Sequence, residues 1–276
     1  MNGQVVVSVS AAKRLIALAV YGMPEVLAAR ERGKLVLKAG TTVAALAELF
    51  GVAPLRIGGR ITPDGARTAK VLVEAPHYVL VEGGRWRCID HCLDEELAAM
   101  GPDDVFVTGA NALDMYGTAG LMAGLAGGGA VGKALSMICS EGIRTIIAVG
   151  LEKLIPGSIA DVSRKAGRRR IDRSMGMAVG LLPLFGRVVT ERDALEMLTG
   201  AAVTVIGAGG LGGAEGATTM LVEGTGEQVD RAFDLVKAQA DRSTAGAAES
   251  LVSCGEGGYY CARHAGCIYR RGQGDE

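Results

Sequence analysis

Two short apolar runs, 105–108 and 145–149, each end at a glycine followed by polar residues. Between them, small residues recur with helical spacing from about 131 to 140. Strand, loop, glycine-rich turn, helix, strand, loop is the order of a parallel α/β sheet, whose strands are apolar throughout because both faces are covered. Ligands of such sheets sit beyond the carboxyl ends of the strands. That places a small-molecule site on the loops 109–118 and 150–153.

The same patterning organises the flanks. Leu15, Leu18 and Ala19 share one face of a helix predicted over 10–23, with Ser10 as its N-cap. Pro24 resets the chain into a second helix ending at Gly33. A short strand, KLVLK (34–38), leads through Ala39, Gly40, Thr41 and Thr42 into the helical VAALAELF. At such a junction the free N–H groups and the helix dipole converge on one point, an arrangement suited to an anion; capping by either threonine is the alternative. Strand-like runs at 70–74 and 78–82 flank a turn holding His77, and a helix follows Cys92.

Toward the C-terminus, Thr190 with Asp193 three residues on caps a helix over 190–198. Strands at 201–206 and 217–223, a helix at 225–239 and a last short strand at 251–253 follow. From about Phe185 onward, strand, helix, strand, strand, helix, strand is the order of a small ferredoxin-like α+β unit. Three segments are therefore expected: an α/β domain over 1–180, a ferredoxin-like domain over 181–253, and a cysteine-rich tail over 254–276.

Composition narrows the function classes. The chain has 276 residues, 49% hydrophobic but only 4% aromatic, so its core is expected to be built from Val, Leu, Ile and Ala. Its 42 glycines have no period, which excludes collagen and repeat architectures and leaves turns or close ligand approach. A net charge of -1 argues against a general nucleic-acid binder. The local exception is RKAGRRRIDR (164–173), which suits a phosphate clamp or a solvated face but lacks the interleaved aromatics of RNA binding. No run of 18 apolar residues occurs, and 5–9 runs into a charged helix instead of a cleavage site, so a soluble cytoplasmic protein is expected. Six cysteines in such a chain are expected as reduced thiols.

The elements KRLIALAV, LVLKAGTT, VFVTGANALDMYGTAG and TIIAVGLEKLIP together resemble the superfamily of glucosamine-6-phosphate deaminase, ribose-5-phosphate isomerase and the CoA transferases. The resemblance covers the first 180 residues, and some members carry a ferredoxin-like companion. It implies a Rossmann-like α/β domain in which glycine-hydroxyl loops hold a phosphate, acyl or CoA group. An Asp or Glu at a strand end would do proton transfer or nucleophilic work.

Those implications meet particular residues. Asp114 follows the strand 105–108 on the loop that also carries Asn111, Gly117 and Thr118, and is the expected general base or nucleophile. Turn capping is the other reading of Asn111 and Asp114. Glu152 is the expected acid partner or second carboxylate, and Lys153 the neutralising cation; a surface pair is the alternative. Gly40, Thr41, Thr42, Gly117 and Thr118 form the expected anion cradle. Gly207–Gly216 has glycines spaced like a dinucleotide fingerprint, but a strand and not a helix follows it, so NAD is not expected. In the tail, Cys254, Cys261, His264 and Cys267 supply soft ligands for zinc without matching a standard signature; isolated thiols are the main reading, and no cofactor is expected.

The resulting expectation is an enzyme acting on a phosphorylated sugar or related anionic metabolite, of isomerase type. Acyl or CoA transfer and a non-catalytic metabolite sensor are the alternatives. The smooth apolar stretch 121–131 adds an expectation of homo-oligomers.

Overall fold

The computed structural model describes residues 1–255 and 261–269, so 256–260 and 270–276 of the expected tail lie outside the described residues. The chain opens with strand β1 (Asn2–Val7), helices α1 (Val9–Tyr21) and α2 (Pro24–Arg32), strand β2 (Lys34–Lys38) and helix α3 (Thr41–Leu49). Two hairpins follow, β3 (Gly59–Thr62) with β4 (Gly65–Thr68) and β5 (Tyr78–Glu82) with β6 (Arg85–Cys88), then α4 (Leu93–Ala98) and β7 (Val105–Thr108). Next come β8 (Ala112–Leu113), β9 (Ala119–Ala123), α5 (Gly129–Glu141), β10 (Arg144–Ala148) and α6 (Ile159–Lys165). They are followed by β11 (Gly180–Leu184), β12 (Arg187–Val189), α7 (Glu191–Thr199), β13 (Ala202–Gly209), β14 (Ala217–Glu223) and α8 (Gly226–Gln239).

The central sheet has the order β12-β10-β7-β2-β5-β6. Its first four strands run parallel, and β5 and β6 join antiparallel beyond β2. Period-two alternation sends each strand's side chains to two covered faces. Leu35, Leu37, Val105, Val107 and Ile146 pack with Leu15 and Ile16 of α1, Val43 and Leu46 of α3, and Leu195 of α7. Val36, Leu80 and Phe106 pack on the other face with Leu93 and Leu97 of α4 and Ala134 and Ile138 of α5. This is the three-layer α/β architecture that the apolar runs predict, Rossmann-like in general outline.

The C-terminal segment differs from its expectation. Strand β12 pairs with β10 in the central sheet, and β13 and β14 form a separate antiparallel sheet whose third strand is β1. The 251–253 segment, expected as the closing strand of a ferredoxin-like unit, instead follows a turn of 3₁₀ helix and makes one bridge from Ser253 to Ala69. The physical reason lies in β1, where Val5 and Val7 are buried and Val6 is exposed. That alternation supplies a half-buried edge strand from the other end of the chain. One core cluster joins Leu15 and Leu37 to Leu195, Val203 and Met220, so it crosses the expected boundary near 180.

Smaller corrections follow local chemistry. Helix α1 is capped by Ser8, whose Oγ accepts the Ala11 N–H at 3.3 Å, and Ser10 lies inside the helix. The run 70–74 is not a strand; Tyr78–Glu82 pairs instead with β2 and β6. Leu121 is buried within the chain, where β9 pairs antiparallel with β11, while 122–131 is half-buried or exposed. The expected box of Thr190 and Asp193 is present at α7. No helix among the described residues is long and apolar enough to cross a membrane.

Candidate active site

The carboxyl ends of β2, β7 and β10 open into a cavity of about 670 Å³. That is within the usual size range of small-molecule sites, roughly 300–1,000 Å³. Strand β2 delivers Lys38, Ala39 and Gly40, β7 delivers Gly109 and Asn111, and β10 delivers Ala148, Gly150, Glu152 and Lys153. Helix α1 adds Lys13, the segment before β3 adds Arg56 and β3 itself Arg60, and the start of β5 adds His77 just before the strand and Tyr78 as its first residue. Among the described residues the charged lining is five cations, Lys13, Lys38, Arg56, Arg60 and Lys153, against the single carboxylate of Glu152.

Two helix N-termini border this cavity. Gly40 is the N-cap of α3 with extended backbone and no side-chain cap, so neither threonine closes the end by capping it. The first amides of the helix stay available, as the anion reading requires. At α5 the left-handed glycines Gly127, Gly128 and Gly129 turn the chain into the helix, again with no side-chain cap. L-residues with a Cβ rarely adopt that backbone.

The two apolar layers of the sheet determine how the cations are held. Lys38 is 6% exposed and makes one long contact, Nζ to the Ala39 carbonyl oxygen at 3.4 Å. Burial pulls its pKa down to about 8. Burial also lowers Lys13, with Glu152 opposing and Lys153 adding to the shift. His77 falls to about 3, through burial first and then the charges of Lys38 and Arg56. It is therefore a neutral imidazole at physiological pH, and its Nδ1 is buried without a partner among the described residues. Arg56 is held by Asp90 at 3.3 Å, and Arg60 by the Ser250 carbonyl and Ser253.

Glu152 lies beside Lys153 at 3.8 Å, and its Oε2 is buried with no hydrogen-bond partner among the described residues. A Cβ at Gly150 would overlap that oxygen, so the glycine allows the carboxylate to fold back against the backbone. Just behind it, Glu191 of α7 is 1% exposed and accepts the Leu151 N–H at 2.9 Å. Burial raises its pKa to about 7; the Leu151 amide opposes the shift and Glu152 adds to it.

The structure thus brings Gly40, Thr41, Thr42, Asn111, Glu152 and Lys153 to one cavity. Asn111 is oriented by its Oδ1, which accepts the Met122 N–H at 3.0 Å. Asp114, Gly117 and Thr118 are placed elsewhere. Asp114 is 4% exposed, and its carboxylate accepts N–H groups from Tyr116 at 3.0 Å, Thr118 at 2.9 Å and Ile159 at 2.9 Å. Burial raises its pKa, but the amides of Ile159, Thr118 and Tyr116 outweigh that and hold it below the usual carboxylate value. This is the turn-capping reading, in which the side chain ties 114–118 to the start of α6. Gly117 provides the left-handed position of that turn.

Residues that sequence reasoning did not single out are Lys13, Lys38, Arg56, Tyr78 and Glu191. The available signal was a lysine ending an apolar strand directly before a glycine-hydroxyl helix start. The clustered arginines 164–173 contribute no arginine to the cavity lining. Cys254, Cys261, His264 and Cys267 border a second, much smaller gap together with Arg67, whose guanidinium lies 4.1 Å from the Tyr269 ring centroid. Among the described residues no three His, Cys, Asp or Glu side chains form a group able to hold a metal.

No protein-family model, curated protein or solved structure matches this chain.

Proposed function

We propose that this chain is an enzyme that binds a small phosphorylated metabolite in the cleft at the ends of β2, β7 and β10 and moves a proton on it. The observation that carries the reading is the excess of cations lining that cleft. Lys13 and Lys38 have no carboxylate partner among the described residues. Buried cations are normally paired, because desolvating an unpaired one is expensive. A phosphate would supply the missing counter-charge, held also by the amides of α3 and by Thr41 and Thr42. The volume suits a phosphorylated sugar of a few carbons.

Glu152 is the carboxylate placed to act in this reading. Its carboxylate, which lines the cleft, would abstract a proton from the carbon beside a substrate carbonyl, and the surrounding cations would stabilise the enediolate that forms. Asp114 has a structural role here. The same carboxylate also suits attack on an acyl group, so acyl transfer from a CoA ester is the second reading. Thermal unfolding with sulfate, with sugar phosphates, with the same sugars unphosphorylated, and with acetyl-CoA tests both. Stabilisation by sulfate and sugar phosphates alone is expected. Stabilisation by acetyl-CoA with label transfer to Glu152 would favour acyl transfer, and equal response to neutral sugars would overturn the anion reading.

A further inference from the structure

Lys38 and Tyr78 are directly opposed residues on the antiparallel strands β2 and β5. Opposed residues project to the same face with Cβ atoms about 5 Å apart. Both line the cleft, and both end in polar atoms that the protein leaves nearly or wholly unengaged. Lys38 has only the long contact to the Ala39 carbonyl oxygen, and the Tyr78 hydroxyl is buried with no partner among the described residues. An amine and a phenol side by side lie at the end of a strand where ligands enter an α/β sheet; the nearby Asp90 accepts the Tyr78 backbone N–H at 2.6 Å and leaves the phenol hydroxyl free.

We propose that Lys38 is a catalytic nucleophile that forms an imine with an aldehyde or ketone bearing a phosphate, and that Tyr78 donates the proton that releases water. The inference rests on reading the cleft as a site for a phosphorylated carbonyl compound. The lysine nitrogen, its ammonium proton already lost to solvent, attacks the carbonyl carbon, and proton transfer from nitrogen to oxygen gives a carbinolamine. The Tyr78 hydroxyl protonates the carbinolamine oxygen; the C–O bond breaks, water leaves and the nitrogen lone pair forms the C=N bond of an iminium. The phenolate then takes the iminium proton back, so amine and carbonyl give imine and water. In the iminium form the adjacent carbon is acidified, which is the position Glu152 would deprotonate.

The surroundings favour these protonation states. Burial lowers the pKa of the Lys38 amine to about 8, so a usable minority is unprotonated near neutral pH. Burial and Asp90 push the Tyr78 phenol above its ordinary value, so it remains a proton donor, and His77 contributes no charge. At pH 7 the unprotonated fraction of an amine with pKa about 8 exceeds that of an ordinary lysine at 10.5 by roughly 300-fold.

The test uses the whole chain, glycolaldehyde phosphate as the probe and cyanoborohydride to reduce any iminium to a stable secondary amine, followed by peptide mass mapping. The expected result is one adduct per chain at Lys38, suppressed by inorganic phosphate, with exposed Lys70, Lys133, Lys165 and Lys237 largely unlabelled. A Tyr78→Phe variant with unchanged circular dichroism is expected to label the same residue at least tenfold more slowly. Adducts spread over the exposed lysines with Lys38 unmodified would overturn the proposal, even where phosphate stabilises the protein and the anion reading stands. Labelling of Lys38 by unphosphorylated glycolaldehyde at the same rate, without protection by phosphate, would leave the imine chemistry standing and remove the anion reading. An undiminished rate in Tyr78→Phe would remove Tyr78 from the step.

Discussion

Replacing Lys38 with methionine is expected to stabilise the protein. The side chain is 6% exposed beside Tyr78 in the cleft, and no carboxylate among the described residues offsets its charge. A pKa lowered from 10.5 to about 8 means that holding the ammonium in the folded chain at pH 7 costs about 3 kcal/mol, at 1.36 kcal/mol per unit. Methionine keeps the apolar stem and removes that cost. The sign follows from linkage. A folded-state pKa below the unfolded value contributes stability that is present above pH 10.5 and lost as pH falls through about 8. Urea unfolding followed by far-ultraviolet circular dichroism at pH 7 and pH 10 measures both. Lys38→Met is expected to exceed the parent by roughly 2–3 kcal/mol at pH 7 and by less than about 1 kcal/mol at pH 10. A variant less stable than the parent at pH 7, or an advantage that does not shrink at pH 10, would refute the reasoning. The predicted gain in stability with loss of anion affinity is the usual signature of a group retained for function.

Three further outcomes follow from neighbouring groups. Glu191, raised to about 7, contributes stability that is present below its unfolded value of 4.5 and lost as pH rises through 7. Glu191→Gln should flatten the decline in stability over that window, seen in unfolding midpoints between pH 4.5 and 8, and an unchanged slope would contradict the assignment. Asp114→Asn should lower stability by roughly 2–4 kcal/mol, because a carboxylate receiving three amides is replaced by a group accepting through one oxygen; sulfate affinity should stay within twofold, and a large loss of affinity would return Asp114 to the site. Gly150→Ala should displace the Glu152 carboxylate and reduce substrate proton exchange at least tenfold, while sulfate still stabilises the protein; unchanged exchange would remove Glu152 from the chemistry.

The parts legible in the sequence are those governed by periodicity and local capping. Strands such as Val105–Thr108 are apolar because both faces are covered, and the Thr190–Asp193 box is a local pattern. The partner of a strand is not local. Asn2–Val7 completes the sheet of β13 and β14 from more than two hundred residues away, whereas the three residues 251–253, expected as the closing strand, bridge from Ser253 to Ala69 instead. Asp114 shows the same limit within the site. A carboxylate after a strand is equally the mark of a base and of a turn cap, and only the three N–H groups around it decide. Lys38 was hidden for the opposite reason: the charged ends of KLVLK look like solvent-facing flanks, yet the sheet and the Tyr78 strand bury the second of them.

The central claim is that the cleft holds a phosphorylated metabolite through its unpaired lysines. Native mass spectrometry of the protein mixed with sugar phosphates and the corresponding neutral sugars, on the parent and on Lys38→Met, tests it most directly. The account predicts one retained sugar phosphate per chain, no retained neutral sugar, and loss of retention in Lys38→Met. Equal retention of both classes, or retention unaffected by Lys38→Met, would contradict it.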